Sequence, residues 1–332
     1  MHFDLNDEQK EIKRVAHDLL AARSPFAKVR EAAEAARYDE ALWNELVELG
    51  WPGIAVSAKH GGQDLGTVEL SVLLEELGYA CAASPFLSSA TAAAVIEAAG
   101  SPDQQQRWLP GLASGEITAG LGTPELAADA EDAGVIVLLD GDDAQLLDRA
   151  ESDVEAFVSI DATRRFATVS GSGEPLGAGA AERVRTAIAA ELVGVCQRAL
   201  DMTLEYVKDR KQFGVPVGSF QAVSHRCAQM LRDTETARSG VYYAAWAADA
   251  DPDRLSEAAA LAAAAAADGG REVTASAIQA HGGIGFTWEA DVHWLYKRAQ
   301  LDASLIGGSR RHRAALARIG ASRAAKAATP AG

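Results

Sequence analysis

Gln279-Ala280-His281-Gly282-Gly283-Ile284-Gly285-Phe286-Thr287-Trp288-Glu289 is the stretch on which the reading of this chain turns. It ends a long helical pattern in a glycine-rich turn. Without Cβ atoms, the backbone at Gly282 and Gly283 can approach a pyrophosphate closely; the same run is also readable as a capped helix end and nothing more. A second glycine pair follows in Leu305-Ile306-Gly307-Gly308-Ser309. Upstream lies a third marked segment, Arg210-Lys211-Gln212-Phe213-Gly214-Val215-Pro216. The Arg210 guanidinium closes a helix there and can hold a phosphate bidentately, or it is a surface arginine favoured by the helix dipole. Phe213 can cover a flat ring or pack into a core.

Outward from these segments, the spacing predicts helices at both ends and strands between them. Residues 1–117 read as helical. Asn6 and Gln9 form a capping box, and further helices cover 39–49 and 67–79, the latter capped by Thr67 with Glu75 and Glu76 facing outward. A short helix opens at Ser101-Pro102-Asp103. Residues 118–178 carry short β-type runs at 134–139, 154–160 and 165–169. From 179 to 320 the pattern is helical again: 181–210, a helix capped by Ser219, one opened by Asp253 that contains Gly269-Gly270, then 291–300 and 309–319. A glycine pair inside a helix costs about 1 kcal/mol per residue relative to alanine and points to tight packing or a kink. Residues 321–332 read as a disordered tail. The fold class is therefore α+β, mainly α, without the βαβ alternation of a dinucleotide-binding sheet.

The 332 residues are 48% hydrophobic and 23% charged, as in a globular protein, with a net charge of −16. Such acidity argues against nucleic acid or an anionic membrane as partner. No apolar run is long enough to span a membrane, and the opening residues lack a basic segment before an apolar one, so no secretory signal is expected. Cys81, Cys196 and Cys227 are scattered, which reads as reduced thiols in a cytoplasmic protein. No Cys/His grouping has metal-ligand spacing, and no nucleophile–base motif appears.

Taken in order, the three glycine-bearing segments resemble the C-terminal domain of the acyl-CoA dehydrogenase family. Glu75-Glu76-Leu77-Gly78 and the stretch from Trp108 to Ile117 resemble N-terminal segments of that family. The resemblance implies an N-terminal helical domain (1–117), a reduced β domain (118–178) and a C-terminal four-helix bundle (179–320). It implies FAD as cofactor and an acyl-CoA thioester as substrate. It also implies that Arg210, Gln212, Phe213, Gln279, Gly282 and Gly283 reach the ADP half of an FAD held by a neighbouring subunit.

Two departures stand out. Dehydrogenating a thioester needs a carboxylate to take the α proton, and the matching position here is Gly307. The other place where relatives carry that glutamate matches Val184. Glu182 lies about 200° around the helix from it, and Glu191 is off register, so the two are the remaining candidates for a base. In the β region, Gly122-Thr123-Pro124-Glu125 only partly resembles the segment that holds the flavin ring, and no tryptophan lies between Trp108 and Trp246. The chain thus resembles the short, base-less subunits of actinobacterial heterotetrameric acyl-CoA dehydrogenases of lipid and steroid side-chain degradation. That resemblance implies a full-length dehydrogenase as partner in an α2β2 assembly, sharing FAD with it. The alternatives are a self-sufficient homomeric flavoenzyme with a relocated base and a flavin-free structural subunit.

Overall fold

In the computed structural model, which describes residues 4–328, the chain begins with six helices: α1 (Asp7–Arg23), α2 (Phe26–Ala35), α3 (Glu40–Glu48), α4 (Thr67–Tyr79), α5 (Phe86–Ala99) and α6 (Pro102–Ala113). The capping box of α1 forms: Asn6 Oδ1 accepts from the Gln9 amide at 2.8 Å, and Gln9 Oε1 accepts from the Asn6 amide at 2.9 Å. α2 and α5 were not foreseen. α5 is buried on almost every side, so no polar stripe marks it as a helix.

α4 corrects two expectations. Its cap is Gly66, not Thr67; the Asp249 carboxylate accepts from the Thr67 and Val68 amides at 3.0 and 3.2 Å. Glu75 and Glu76 point inward, because α1 and a later helix close over this face and bring cations with them. Glu75 accepts from Lys13 Nζ at 2.8 Å, Arg238 Nε at 3.0 Å and the Tyr242 hydroxyl at 2.7 Å, while Glu76 meets His17 Nδ1 at 2.9 Å. Paired in this way, buried carboxylates avoid most of the cost of leaving water.

Seven strands follow: β1 (Ala119–Thr123), β2 (Leu126–Ala128), β3 (Val135–Asp140), β4 (Asp143–Asp148), β5 (Asp153–Phe157), β6 (Phe166–Ser170) and β7 (Glu174–Pro175). They form one sheet in the order β5-β6-β2-β1-β3-β4-β7, with β1 and β3 parallel and the other pairs antiparallel. The apolar runs foreseen correspond to β3, β5 and β6. β3 shows period two: Val135, Val137 and Leu139 join the main core with the helices, while Ile136 and Leu138 join a small second core with Leu147 and Val169.

The C-terminal helices are α7 (Ala180–Asp209), α8 (Gln221–Ala250), α9 (Leu255–His281), α10 (Val292–Leu305) and α11 (Gly308–Ala328). A hairpin of β8 (Lys211–Gln212) and β9 (Val215–Pro216) joins α7 to α8. Ser219 and Asp253 lie in 3-10 turns ahead of α8 and α9 and cap neither. α4 and α7 touch backbone to backbone: a Cβ at Gly194 would stand 1.8 Å from the Glu75 carbonyl oxygen. Gly270 has the tight packing its sequence suggested, since a Cβ there would lie 2.7 Å from Leu192 Cδ2. The expectation of a disordered tail fails over 321–328, where α11 continues as helix; 329–332 lie outside the described residues. Alanine and basic side chains are good helix formers, which suits this extension. All three cysteines are free and buried, and burial pushes Cys81 and Cys196 up to about 12. No helix among the described residues is long and apolar enough to cross a membrane.

A buried ion cluster ties the sheet to the bundle. Arg298 of α10 donates to Asp161 Oδ2 at 2.7 Å, Glu191 Oε1 at 2.8 Å, Thr163 Oγ1 at 2.5 Å and the Ala82 carbonyl at 3.2 Å. Arg164 donates to Glu191 Oε2 at 3.0 Å and to Asp302 Oδ1. Two guanidiniums thus face three carboxyls, and Asp302 Oδ2 is buried without a partner. Burial and the neighbouring Glu191 charge raise the Asp302 carboxyl well above its ordinary value, which favours its protonated form.

Arg298→Met should therefore lower the unfolding free energy by about 3–5 kcal/mol in urea denaturation, because it strands buried charges. Asp302→Asn should cost less than about 1 kcal/mol, since an amide replaces a protonated carboxyl while keeping the acceptor for Arg164. Equal losses from the two substitutions would show that Asp302 is ionised.

Candidate cofactor site

The predicted cofactor residues gather at one end of the bundle. α7 ends at Arg210, whose amide donates to Tyr206 O at 2.9 Å. Its guanidinium is exposed and has no ion pair or hydrogen bond among the described residues. The hairpin then turns at Phe213 and Gly214, with φ of +53° and +80°, the two left-handed residues that a tight two-residue turn requires. Glycine accepts that conformation freely; phenylalanine does not. Phe213 is nonetheless 93% exposed, with only the edge of Phe220 near it at 6.3 Å between ring centroids. A strained, solvent-facing aromatic gains nothing for the isolated chain, and such strain concentrates at binding sites.

The end of α9 lies alongside. Tyr206 of α7 stacks on His281 of α9 at 4.4 Å between ring centroids, fixing the two helix ends together. His281 is buried, which lowers its pKa, and its Nδ1–H donates to the Ala277 carbonyl at 2.8 Å. Gln279, Gly282 and Gly283 are exposed just beyond. A Cβ at Gly282 or Gly283 would meet nothing within 4 Å, so the turn forms an open backbone cradle. Arg210 and His281 line one cavity of about 530 Å³, and Gln279 lines the next, of about 480 Å³. The arrangement presents a cation, an amide and a bare backbone turn together, which suits a diphosphate. Gln212 sits on the hairpin with its amide turned to the neighbouring Lys211 carbonyl at 2.8 Å.

The second of these cavities contains side chains that the sequence reading passed over. Lys297 Nζ lies 4.1 Å above the Trp288 ring and 4.7 Å above Trp294. His293 packs between those tryptophans with both ring nitrogens buried and unpartnered, and burial beside Lys297 brings its pKa down to about 4. Aromatic residues at 288 and 294 flanking a lysine at 297 were a signal available in the sequence.

The proposed base candidates lie elsewhere. Glu182 is 28 residues before Arg210 on the same helix, hence about 42 Å away at about 1.5 Å per residue. Val184 is fully buried. Glu191 is buried with each oxygen paired to a guanidinium, Oε2 to Arg164 and Oε1 to Arg298. Gly307 and Gly308 make the turn between α10 and α11 with φ of +90° and +68°. Glycine is the residue that this left-handed backbone favours.

Gly307→Glu should therefore not create a working base. The left-handed backbone should cost about 1–2 kcal/mol in a thermal or urea melt. Arg311, whose Cδ lies 3.7 Å from where that Cβ would be, would hold the new carboxylate low. Acyl-CoA-dependent dye reduction gained by this variant alone would refute that account.

A family model described as "Acyl-CoA dehydrogenase, N-terminal domain" matches residues 6–116, and one described as "Acyl-CoA dehydrogenase, C-terminal domain" matches 172–320. The acyl-CoA dehydrogenase IpdE2 of Mycobacterium tuberculosis is 34% identical over 310 residues, covering 92% of this chain and 94% of that protein. Among solved structures, a variant of the Tcur3481–Tcur3483 steroid ACAD superposes with a TM-score of 0.86 at 26% identity, over 96% of this chain and 99% of that one. The ChsE4–ChsE5 complex from Mycobacterium tuberculosis superposes with a TM-score of 0.85 at 24% identity over the whole of both chains, a likeness of fold. With both of its terminal regions matched by family models and a full-length relative above 30% identity, this chain belongs to the acyl-CoA dehydrogenase family.

Proposed function

We propose that this chain is the non-catalytic subunit of a two-component acyl-CoA dehydrogenase. In this reading Arg210, Gln212, Phe213, Gln279, Gly282 and Gly283 serve the ADP half of an FAD whose ring lies in a full-length partner subunit, in an α2β2 assembly. The partner would carry the glutamate that takes the α proton, and FAD held by Arg210, Gln279 and the glycine turn would supply the hydride acceptor.

One observation carries the reading: the two ends of α7 differ. At the Arg210 end the phosphate-type groups are exposed, unpaired and strained toward solvent. At the other end Gly307 and Val184 stand where family members carry an acceptor, and Glu191 is locked between two arginines. A chain that keeps the lending half of a shared site and lacks the chemical half fits a donor subunit. The names of the structural relatives, a steroid ACAD and a two-component complex, support a bulky acyl group such as a steroid side chain as substrate.

Purified alone, the chain should show little flavin absorbance; co-purified with its partner dehydrogenase, the complex should hold FAD stoichiometrically. In that complex, Arg210→Ala should weaken FAD retention by roughly 10–100-fold, the loss of one charged hydrogen-bonded contact of about 1.5–3 kcal/mol. Stoichiometric flavin in the chain alone would overturn the reading and favour a homomeric flavoenzyme, with Glu182 as the first base to test.

A further inference from the structure

The cavity of about 480 Å³ beside Gln279 has walls that the diphosphate cradle does not use. Its aromatic lining, Phe286, Trp288 and Tyr296, is 79%, 70% and 36% exposed. Ala275 and Ile278 of α9 add further apolar lining. Exposed apolar surface gathered around a cavity marks a place where something binds. The volume lies within the range of small-ligand sites.

Two polar side chains on this cavity lack partners. His293 is 8% exposed, and neither of its ring nitrogens has a hydrogen-bond partner among the described residues. Its imidazole is neutral near pH 7, so it offers one donor and one acceptor. Leaving both unmade in a buried group is costly. Lys297 is the other. Its ammonium rests over the faces of Trp288 and Trp294, with no ion pair or hydrogen bond among the described residues. Asp161 acts on it through space, but that carboxylate is already bonded to Arg298 at 2.7 Å. His293 and Lys297 are four residues apart on α10 and so share a face, and both pack against Trp288. Among the described residues, no carboxylate and no arginine lines the cavity.

We propose that this cavity is a separate, non-catalytic ligand site that takes a planar aromatic carboxylate. The ring stacks on Trp288 beside Phe286, and the carboxylate meets the Lys297 ammonium and the His293 N–H. A carboxylate brings only acceptors, which is what an unpaired ammonium and an imidazole N–H lack. A phosphate calls for an arginine fork or a nest of backbone amides, and the lining has no arginine. An aliphatic acid satisfies the charge but leaves the exposed ring faces without a stacking partner. The proposal does not depend on the donor-subunit reading, in which Trp288, His293 and Lys297 have no part.

The test is calorimetric titration of the full chain with 2-naphthoate, against its neutral amide 2-naphthamide and the non-aromatic cyclohexanecarboxylate. Naphthoate should bind, and both controls should bind about tenfold more weakly or not at all. Lys297→Met keeps an apolar side chain over the indoles and removes the charge; it should weaken naphthoate by about tenfold and leave naphthamide unchanged. His293→Phe should weaken naphthoate while melting no lower than the parent chain, since it removes an unpaired buried polar group. Damage to the fold would lower both. No naphthoate binding, equal binding of naphthamide, or indifference to Lys297→Met would overturn the site. Loss of naphthoate binding on forming the complex with the partner dehydrogenase would show that the partner fills the cavity, and would overturn it too. FAD retention in that complex reports separately on the Arg210 cradle. A loss of FAD caused by Lys297→Met would place the cavity within the cofactor site and refute a separate ligand.

Discussion

Arg298 is a fully buried cation that bonds at once to a loop of the sheet, to α7 of the bundle and to the turn between α4 and α5. Such a charge is tolerated only when every donor finds an acceptor, because leaving water costs more than any one contact returns. The neighbouring Arg164 completes the set by reaching Glu191 and Asp302. The cluster adds directional bonds between a loop of the sheet and the helices to the non-directional apolar packing of β3 against them. It also explains why Glu191 is a structural residue: both of its oxygens are held by guanidiniums.

α7, 30 residues long, separates two regions of different character. At its C-terminal end the backbone is strained at Phe213 and open at Gly282 and Gly283, and the Arg210 guanidinium has no partner among the described residues. At its N-terminal end positive charge is concentrated against a strongly acidic background. The rigidity of a long helix packed backbone to backbone on α4 keeps these regions apart.

In the donor-subunit reading, glycine at 307 is more than a missing side chain. The turn between α10 and α11 uses two consecutive left-handed residues, and the arginines that follow on α11 bring positive charge to where a proton acceptor would act. In the donor-subunit reading, backbone and electrostatics both disfavour general-base chemistry at this turn.

Several of these features were legible in the sequence. The capping box at Asn6, the apolar alternation of β3, the long helix ending at Arg210 and the glycine turn after Gln279 are local patterns, set by neighbours within a few residues, and the structure has each of them. The absence of a glutamate at 307 was visible for the same reason. What the sequence left undecided depends on contacts between residues far apart in the chain. Glu75 and Glu76 look like solvent-facing residues until α1 and α8 close over them with Lys13, His17 and Arg238. Asp161, Arg164, Glu191, Arg298 and Asp302 carry no local signal, since each is an ordinary charged residue until tertiary packing removes water and brings them together. By itself the sequence determined most of the helices and the glycine turns, because backbone preference is local. Only the tertiary structure decided which charges are buried, because burial and Coulomb energy depend on distance in space.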